Sequence, residues 1–377
     1  MTTWAVLTGE YPPQSGGVAD YTRLVADGLV AAGDRVTVFA PATDRPDVSD
    51  TGVTVVRLPD HFGRRGRAVV LEHLRRTKAD RVLIQYVPHA YGVKAMNVPF
   101  ARWVRFALRR VAPVWVMFHE VAFPFVRRPL RHNLIAVANR LMARLVADAA
   151  DRVFVAIPAW GTRLRTLAPR GRPAEWLPVP SNLPTTADHA PVRRAIPAGT
   201  VIGHFGTYGG AVAELLEAAL PLLLEHAPDR VVLLVGRNAE RFRDRLLVRS
   251  PDLAGRVVAT GVLLPELAAA HLAACDLLVQ PYPDGVSCRR GSVMASLALG
   301  LPVVTNLGPL SEPGWTTEES GVSLADSASA EAIAAAAERV LALSPADRVA
   351  LGRSARRWYA ARFAVERTIS TLRGERS

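Results

Sequence analysis

Short apolar runs rich in β-branched residues alternate with stretches of helical period along nearly the whole chain. Runs of strand length that are apolar on both faces, separated by amphipathic helices, are the mark of βαβ units and a parallel sheet. In the first half the pattern predicts strands near Trp4–Leu7, Arg35–Phe39, Val53–Leu58, Arg81–Gln85, Val114–Phe118 and Arg152–Ala156. The alternation breaks at Leu177–Pro184, where Pro178, Pro180 and Pro184 forbid a helix and favour an extended connector. It then restarts, with strands near Val201–Phe205, Val231–Val235, Val257–Thr260, Leu277–Gln280 and Pro302–Thr305. Ala328–Leu343 and Ser354–Leu372 read as closing helices, the last basic and able to return to the first domain. The expected fold is α/β: two Rossmann-like, doubly wound parallel-sheet domains, residues 1–184 and 185–353, with helix 354–372 packing back on the first.

Composition agrees with two ordinary cores, since half of the 377 residues are apolar and the 21% that are charged are dispersed. Met1 leads directly into a strand-like run with no basic n-region, which predicts a cytoplasmic protein, at most peripheral at the inner face of a membrane. The longest uncharged stretch, Gly291–Ser311, contains Gly300, Pro302, Asn306, Gly308 and Pro309 and reads as helix, turn and strand rather than a membrane span. Two cysteines, Cys275 and Cys288, exclude a disulfide framework and a four-cysteine zinc site.

The charge changes the picture more. Residues 1–189 carry 26 basic and 15 acidic side chains, against 20 and 19 in residues 190–377, so nearly all of the net +12 lies in the first half. An anionic partner or membrane surface is expected there. Arg102–Arg110 and Arg127–His132 interleave bases with bulky apolar groups, as lipid-docking segments do and as helices with a solvated basic face also do. No nucleic-acid-binding motif accompanies the charge, so nucleic acid is not expected as a partner.

Candidate chemistry begins at Thr8–Val18, which leaves the first strand and enters a helix. Its Gly16-Gly17 pair suits close approach of a diphosphate to a helix start, although the spacing matches neither the dinucleotide fingerprint nor a P-loop. With two further stretches a resemblance emerges. The opening PPQSGGVADYTRLVADGLVAAGDRVTVFAP, the segment Val258–Gly285 and ASLALGLPVVT at Ala295–Thr305 resemble, in that order, glycosyltransferase family 4 of the GT-B fold. The likeness spans essentially the whole chain. It implies two domains facing an interdomain cleft and a metal-independent, retaining transfer of the hexosyltransferase type. The sugar would pass from a nucleotide diphosphate donor to a glycan, lipid-linked or small-molecule hydroxyl.

The resemblance carries roles to particular positions. Gly16 and Gly17 would meet the donor diphosphate, Gly261 and Val262 with Glu266 would border the base, and His119, after the Val114–Phe118 strand, would lie near the transferred sugar. Many members have two glutamates eight positions apart where this chain has Ser287 and Ala295, and bases where it has Gly206–Ala213. Asp284 is positioned to take over the sugar contact, whereas Ala295 cannot bond a ribose. Arg289 and Arg290, just before Gly291 and Ser292 at a helix start, are expected to replace the lost bases by neutralising the leaving diphosphate. Asp20, Tyr21, Tyr86 and His89 are candidate acceptor contacts. No Asp-x-Asp motif appears, in keeping with a site that needs no metal and no cofactor beyond the nucleotide sugar. Two rival readings are a sugar-nucleotide epimerase of the same architecture and a nucleotide-sugar-binding or scaffold partner of another transferase.

Overall fold

The computed structural model describes residues 1–14, 16–44, 52–92, 95–128, 130–196, 199–225 and 227–375. Ser15 of the glycine loop and Pro129 of the second basic cluster lie outside the described residues. The chain divides into two compact units, Met1–Val179 with Val365–Ser377, and Pro180–Ala364.

The first unit runs β1 (Thr3–Thr8), α1 (Gly17–Ala31), β2 (Arg35–Pro41), β3 (Val53–Leu58), α2 (Arg64–Thr77), β4 (Arg81–Tyr86), α3 (Val98–Phe106), β5 (Val114–Phe118), α4 (Arg131–Ala147), β6 (Arg152–Val155), α5 (Pro158–Leu167) and β7 (Ala174–Trp176). These strands form one parallel sheet in the order β3-β2-β1-β4-β5-β6-β7. The central strand β1 has Val6 registered between Val38 and Leu83, and its Trp4–Leu7 run is fully buried, as expected for a strand covered on both faces. β7 escaped the sequence reading because Ala-Glu-Trp is an exposed edge strand with no apolar run to betray it.

The second unit runs α6 (Ala190–Ala195), β8 (Thr200–Phe205), α7 (Gly210–Glu225), β9 (Arg230–Val235), α8 (Ala239–Arg249), β10 (Val257–Ala259), α9 (Pro265–Ala273), β11 (Leu277–Val279), α10 (Gly291–Leu299), β12 (Val303–Asn306), β13 (Val322–Ala325), α11 (Ala330–Leu341) and α12 (Pro345–Arg362). Its sheet is again parallel, in the order β10-β9-β8-β11-β12-β13. One core beneath it joins Leu216, Leu220 and Leu223 of α7 to Leu234, Phe242, Val279 and Ile333. Both sheets thus reverse their strand order beside the first strand, at β1/β4 and at β8/β11. Such a switch point opens a crevice at the carboxyl ends of the strands, where open α/β sheets bind ligands.

The expected helix Ser354–Leu372 is two helices, α12 and α13 (Val365–Arg373), and the division between the units falls at the break. Phe363 is buried in an aromatic group with Trp315 and Trp358 in the second unit. Ile369 instead packs on Gly28 of α1, where a Cβ would stand 2.7 Å from its Cδ1. Helical sequence therefore continues while the buried face changes unit. The first unit holds α13 at its end as well: Arg81 donates to the Leu372 carbonyl at 2.8 Å, and Arg373 reaches the Ala32 carbonyl. The earlier division falls at Val179 and Pro180, and just beyond it the Ser181 N–H donates to the Tyr359 hydroxyl at 2.9 Å. Gly291–Ser311 does contain helix α10, a turn and strand β12, and among the described residues no helix is long and apolar enough to cross a membrane.

Candidate active site

In the second unit, β8, β9 and β10 end on three glycines. The Gly206 N–H donates to Val235 O at 3.0 Å and the Gly236 N–H to Gly261 O at 3.1 Å, so the ladder continues past the strands. A Cβ at Gly236 would collide with the Gly206 carbonyl, and Gly236 and Gly261 both have positive φ (120° and 69°). The result is a shelf of bare backbone at the carboxyl edge. Gly206 and Gly261, selected from the sequence, belong to it through Gly236, which was missed. Val262 and Glu266 follow on the solvent side, both exposed.

Across the switch point, the loop from β11 to α10 carries the charged groups. Asp284 pairs with both Arg289 and Arg290, one carboxylate oxygen to each guanidinium. The loop is braced from below: Asn306 exchanges hydrogen bonds with Tyr282 (2.9 Å from its N–H and 2.8 Å to its carbonyl), and Gly285 lies against Gly308 so closely that neither can carry a side chain. Tyr282 sits under Arg290, its ring centroid 5.0 Å from the guanidinium carbon, with its hydroxyl 2.7 Å from Ser292 Oγ. Burial pushes the Tyr282 phenol up to about 12, so it stays protonated and neutral beneath the cation.

This arrangement can receive an anion. Arg289 and Arg290 stand at the start of α10, whose Gly291 and Ser292 amides have no partner inside the helix. A Cβ at Gly291 would meet little, its nearest neighbour being Asn182 Oδ1 at 4.0 Å. Ser287 Oγ and Arg290 Nε are buried with no partner among the described residues, which in a native site commonly marks groups that a ligand completes. The paired carboxylate changes one expectation: Asp284 does not stand free for a sugar but holds the two guanidiniums. Ala295 is fully buried on α10. Among the described residues, no group of three or more His, Cys, Asp or Glu could hold a metal ion.

In the first unit the switch point is closed by backbone. A Cβ at Gly9 would lie 2.5 Å from the Ala90 carbonyl carbon, and the Tyr91 hydroxyl lies 2.9 and 2.7 Å from the carbonyls of Leu7 and Gln85. His119, just past β5, is buried, with Nε2 2.9 Å from Gln85 Oε1 and its ring edge-on to Tyr21 at 4.7 Å. Its backbone carbonyl accepts from Trp160 Nε1 at 2.8 Å. Burial lowers the imidazole to about 3, so His119 is neutral at physiological pH.

The glycine loop departs from expectation. Glu10 Oε1 accepts the N–H groups of Val18 (3.1 Å) and Ala19 (3.2 Å), so the start of α1 already holds an anion of the chain itself. Gly16 is small for that reason: a Cβ would sit 2.6 Å from the Glu10 carboxyl carbon. Gly17 has open space around its missing Cβ and remains the position where a ligand can approach the backbone.

Two of the acceptor candidates are corrected. Tyr86 is fully buried against Phe118 and Tyr91, because it ends a central strand and points into the core. Tyr21 is likewise buried, packed on His119. Asp20 is half-buried and His89 exposed. Glu10 and Gln85 were missed as site-shaping residues. A polar Gln at the end of the otherwise apolar run Val82–Ile84 was the available signal for the second.

The family described as "Glycosyl transferases group 1" matches residues 199–342, and the "Glycosyl transferase 4-like domain" matches residues 16–181. No curated protein matches the chain. Among solved structures, sucrose-phosphate synthase from Thermosynechococcus elongatus is similar at TM-score 0.74 and 22% identity, covering 99% of this chain and 98% of that one. Anabaena Alr3699/HepE in complex with UDP-glucose is similar at TM-score 0.70 and 17% identity, covering 99% and 100%. The α,α-trehalose 6-phosphate synthase from Burkholderia multivorans is similar at TM-score 0.68 and 14% identity, covering 99% and 96%.

Proposed function

We propose that this chain, which belongs to the GT-B glycosyltransferases, takes a nucleoside diphosphate sugar on its second unit and transfers the sugar with retention of anomeric configuration. The observation that carries the reading is the Arg289–Asp284–Arg290 group at the start of α10, beside the β8/β11 switch point. A leaving diphosphate gains negative charge as the bond to the sugar breaks, and two guanidiniums fixed at a helix start are arranged to meet it.

In this scheme the bond from the anomeric carbon to the phosphate oxygen breaks, and the acceptor oxygen bonds to that carbon on the same face. The acceptor proton passes to the departing phosphate oxygen, so no protein carboxylate needs to act as base. Gly206, Gly261 and the neighbouring Val262 and Glu266 border the base and ribose. The acceptor, a glycan, lipid-linked or small-molecule hydroxyl, is assigned to the first unit, with Asp20 and His89 as its accessible candidate contacts. Neutral His119 supports a hydrogen bond rather than a charge. Because the arginines supply the charge neutralisation, the proposal calls for neither metal nor further cofactor, and turnover should survive chelator. A lipid-linked acceptor would bring the enzyme to an anionic membrane surface on the cytoplasmic side.

Thermal shift with UDP, GDP and dTDP and their sugars tests the assignment, since a ligand that binds only the folded state raises its melting point. One nucleotide family should stabilise the wild type and be slowly hydrolysed as its sugar. The double variant Arg289→Ala, Arg290→Ala should melt normally but lose both responses. Near-normal turnover in that variant would reject the assignment, and no response of the wild type to any nucleotide would favour a scaffold role.

A further inference from the structure

The described residues of α4 show an apolar stripe turned to solvent. Leu134, Val137 and Leu141 lie on one face of the helix, at the spacing that brings side chains into line, and Leu130 and Phe125 extend the stripe beyond its start. All five are between 45 and 73% exposed. Scattered exposed leucines need no explanation, but a continuous row does.

The segment before the helix is built to present this row. The Asn133 side chain accepts the Val126 N–H at 2.9 Å and donates to the Val126 carbonyl at 3.0 Å. Arg140 donates to the Phe123 carbonyl at 2.9 Å and stacks on Phe125, 3.8 Å from the ring centroid. Residues 123–128 are thereby fastened to α4 with Phe125 outward.

Charge identifies what covers the stripe. From Arg81 to Ala147 the sequence holds eleven Arg or Lys and a single acid, Glu120. Arg127, Arg128 and Arg131 are exposed at the start of the row, while Arg144 near its end is exposed but paired with Asp148. A second copy of this chain would set Arg127, Arg128 and Arg131 against the same basic face, whose nearby Asp148 is already paired with Arg144, so self-association through this face is disfavoured. An apolar row one helix wide, rimmed by arginines, matches a bilayer surface whose headgroups are anionic: the leucines and phenylalanine enter the acyl boundary while the guanidiniums remain among the phosphates.

We infer that Phe125, Leu130, Leu134, Val137 and Leu141, with Arg127, Arg128 and Arg131, form an in-plane docking surface for anionic lipid membranes. The surface deepens the membrane association that accompanies the proposed function, yet rests on no step of the transfer. Flotation of the full chain, without substrates, tests it with vesicles of phosphatidylcholine alone and of phosphatidylcholine with phosphatidylglycerol. The wild type should float with the anionic vesicles and only weakly with the neutral ones. The exposed triple variant Leu134→Gln, Val137→Gln, Leu141→Gln should keep its melting point and bind at least tenfold more weakly. Replacing Arg127, Arg128 and Arg131 by Gln should remove the preference for anionic lipid.

Equal binding to both vesicles, no binding, or wild-type binding by the triple variant would overturn the inference. So would a concentration-dependent dimer that the triple variant abolishes, or tight capture by polyglutamate that the triple variant leaves unchanged, since these would point to a second copy or an acidic protein. None of these readouts depends on catalysis, so loss of nucleotide binding and loss of vesicle binding are separate results.

Discussion

Asp284 offers the sharpest test of how the charged loop works. Its carboxylate pairs with both Arg289 and Arg290, and the three side chains are 34, 17 and 26% exposed. An incoming diphosphate of charge about −2 therefore meets two cations already shared with one anion. Asp284→Asn keeps the shape and most of the hydrogen-bonding capacity but removes the competing charge. For the lost unit charge about 6 Å from the nearer phosphate, itself counted as one negative charge, at an effective dielectric of about 40 for a partly exposed site, the change is about 1.4 kcal/mol. That corresponds to roughly tenfold tighter binding. Titration calorimetry with the responding nucleoside diphosphate should show a Kd about tenfold lower in the variant than in the wild type, with the difference shrinking as salt screens the site. Turnover should fall in the same variant, because a more tightly held product leaves more slowly. If the affinity is unchanged or weaker, Asp284 serves to preorganise the guanidiniums, and the competition argued from its geometry is wrong.

Other outcomes follow from the same structure. His119 and His204 are buried neutral, each lowered to about 3 from an unfolded value of 6.5, so the unfolded chain binds more protons at pH 5. Their stabilisation is complete above pH 6.5 and is lost as pH falls toward 3; urea unfolding should show a loss of about 2 kcal/mol per histidine between pH 6.5 and 5, and His119→Asn should flatten that loss for the first unit alone. Glu10→Ala should cost about 1 kcal/mol of first-unit stability by stripping the cap from α1, and Gly16→Ala should cost a similar amount by displacing the same carboxylate. Gly28→Val should destabilise the first unit by about 1–3 kcal/mol, since its side chain would overlap Ile369 of α13, and Ile369→Ala should recover part of the loss in a double-mutant cycle. Unchanged denaturation midpoints in these variants would contradict the packing described.

The alternation of apolar strands and amphipathic helices was sufficient to specify two parallel sheets, because a strand buried on both faces must be apolar throughout and the crossover must be helical. The same one-dimensional signal located the Pro-rich junction, the helix start at Gly291 and the pair Arg289-Arg290. Strand order, and with it the switch points, came only from pairing between residues far apart in the chain. Charge pairing was equally invisible: Asp284 closes on both arginines and Glu10 caps α1 because loops fold back on their own helices, and spacing alone does not say which anion a helix start will hold. Burial decided the rest. Tyr86 and Tyr21 look like exposed ligand contacts in sequence, but they point into the core. The leucines of α4 look like core residues but lie in water, since helical periodicity marks a face without saying what covers it.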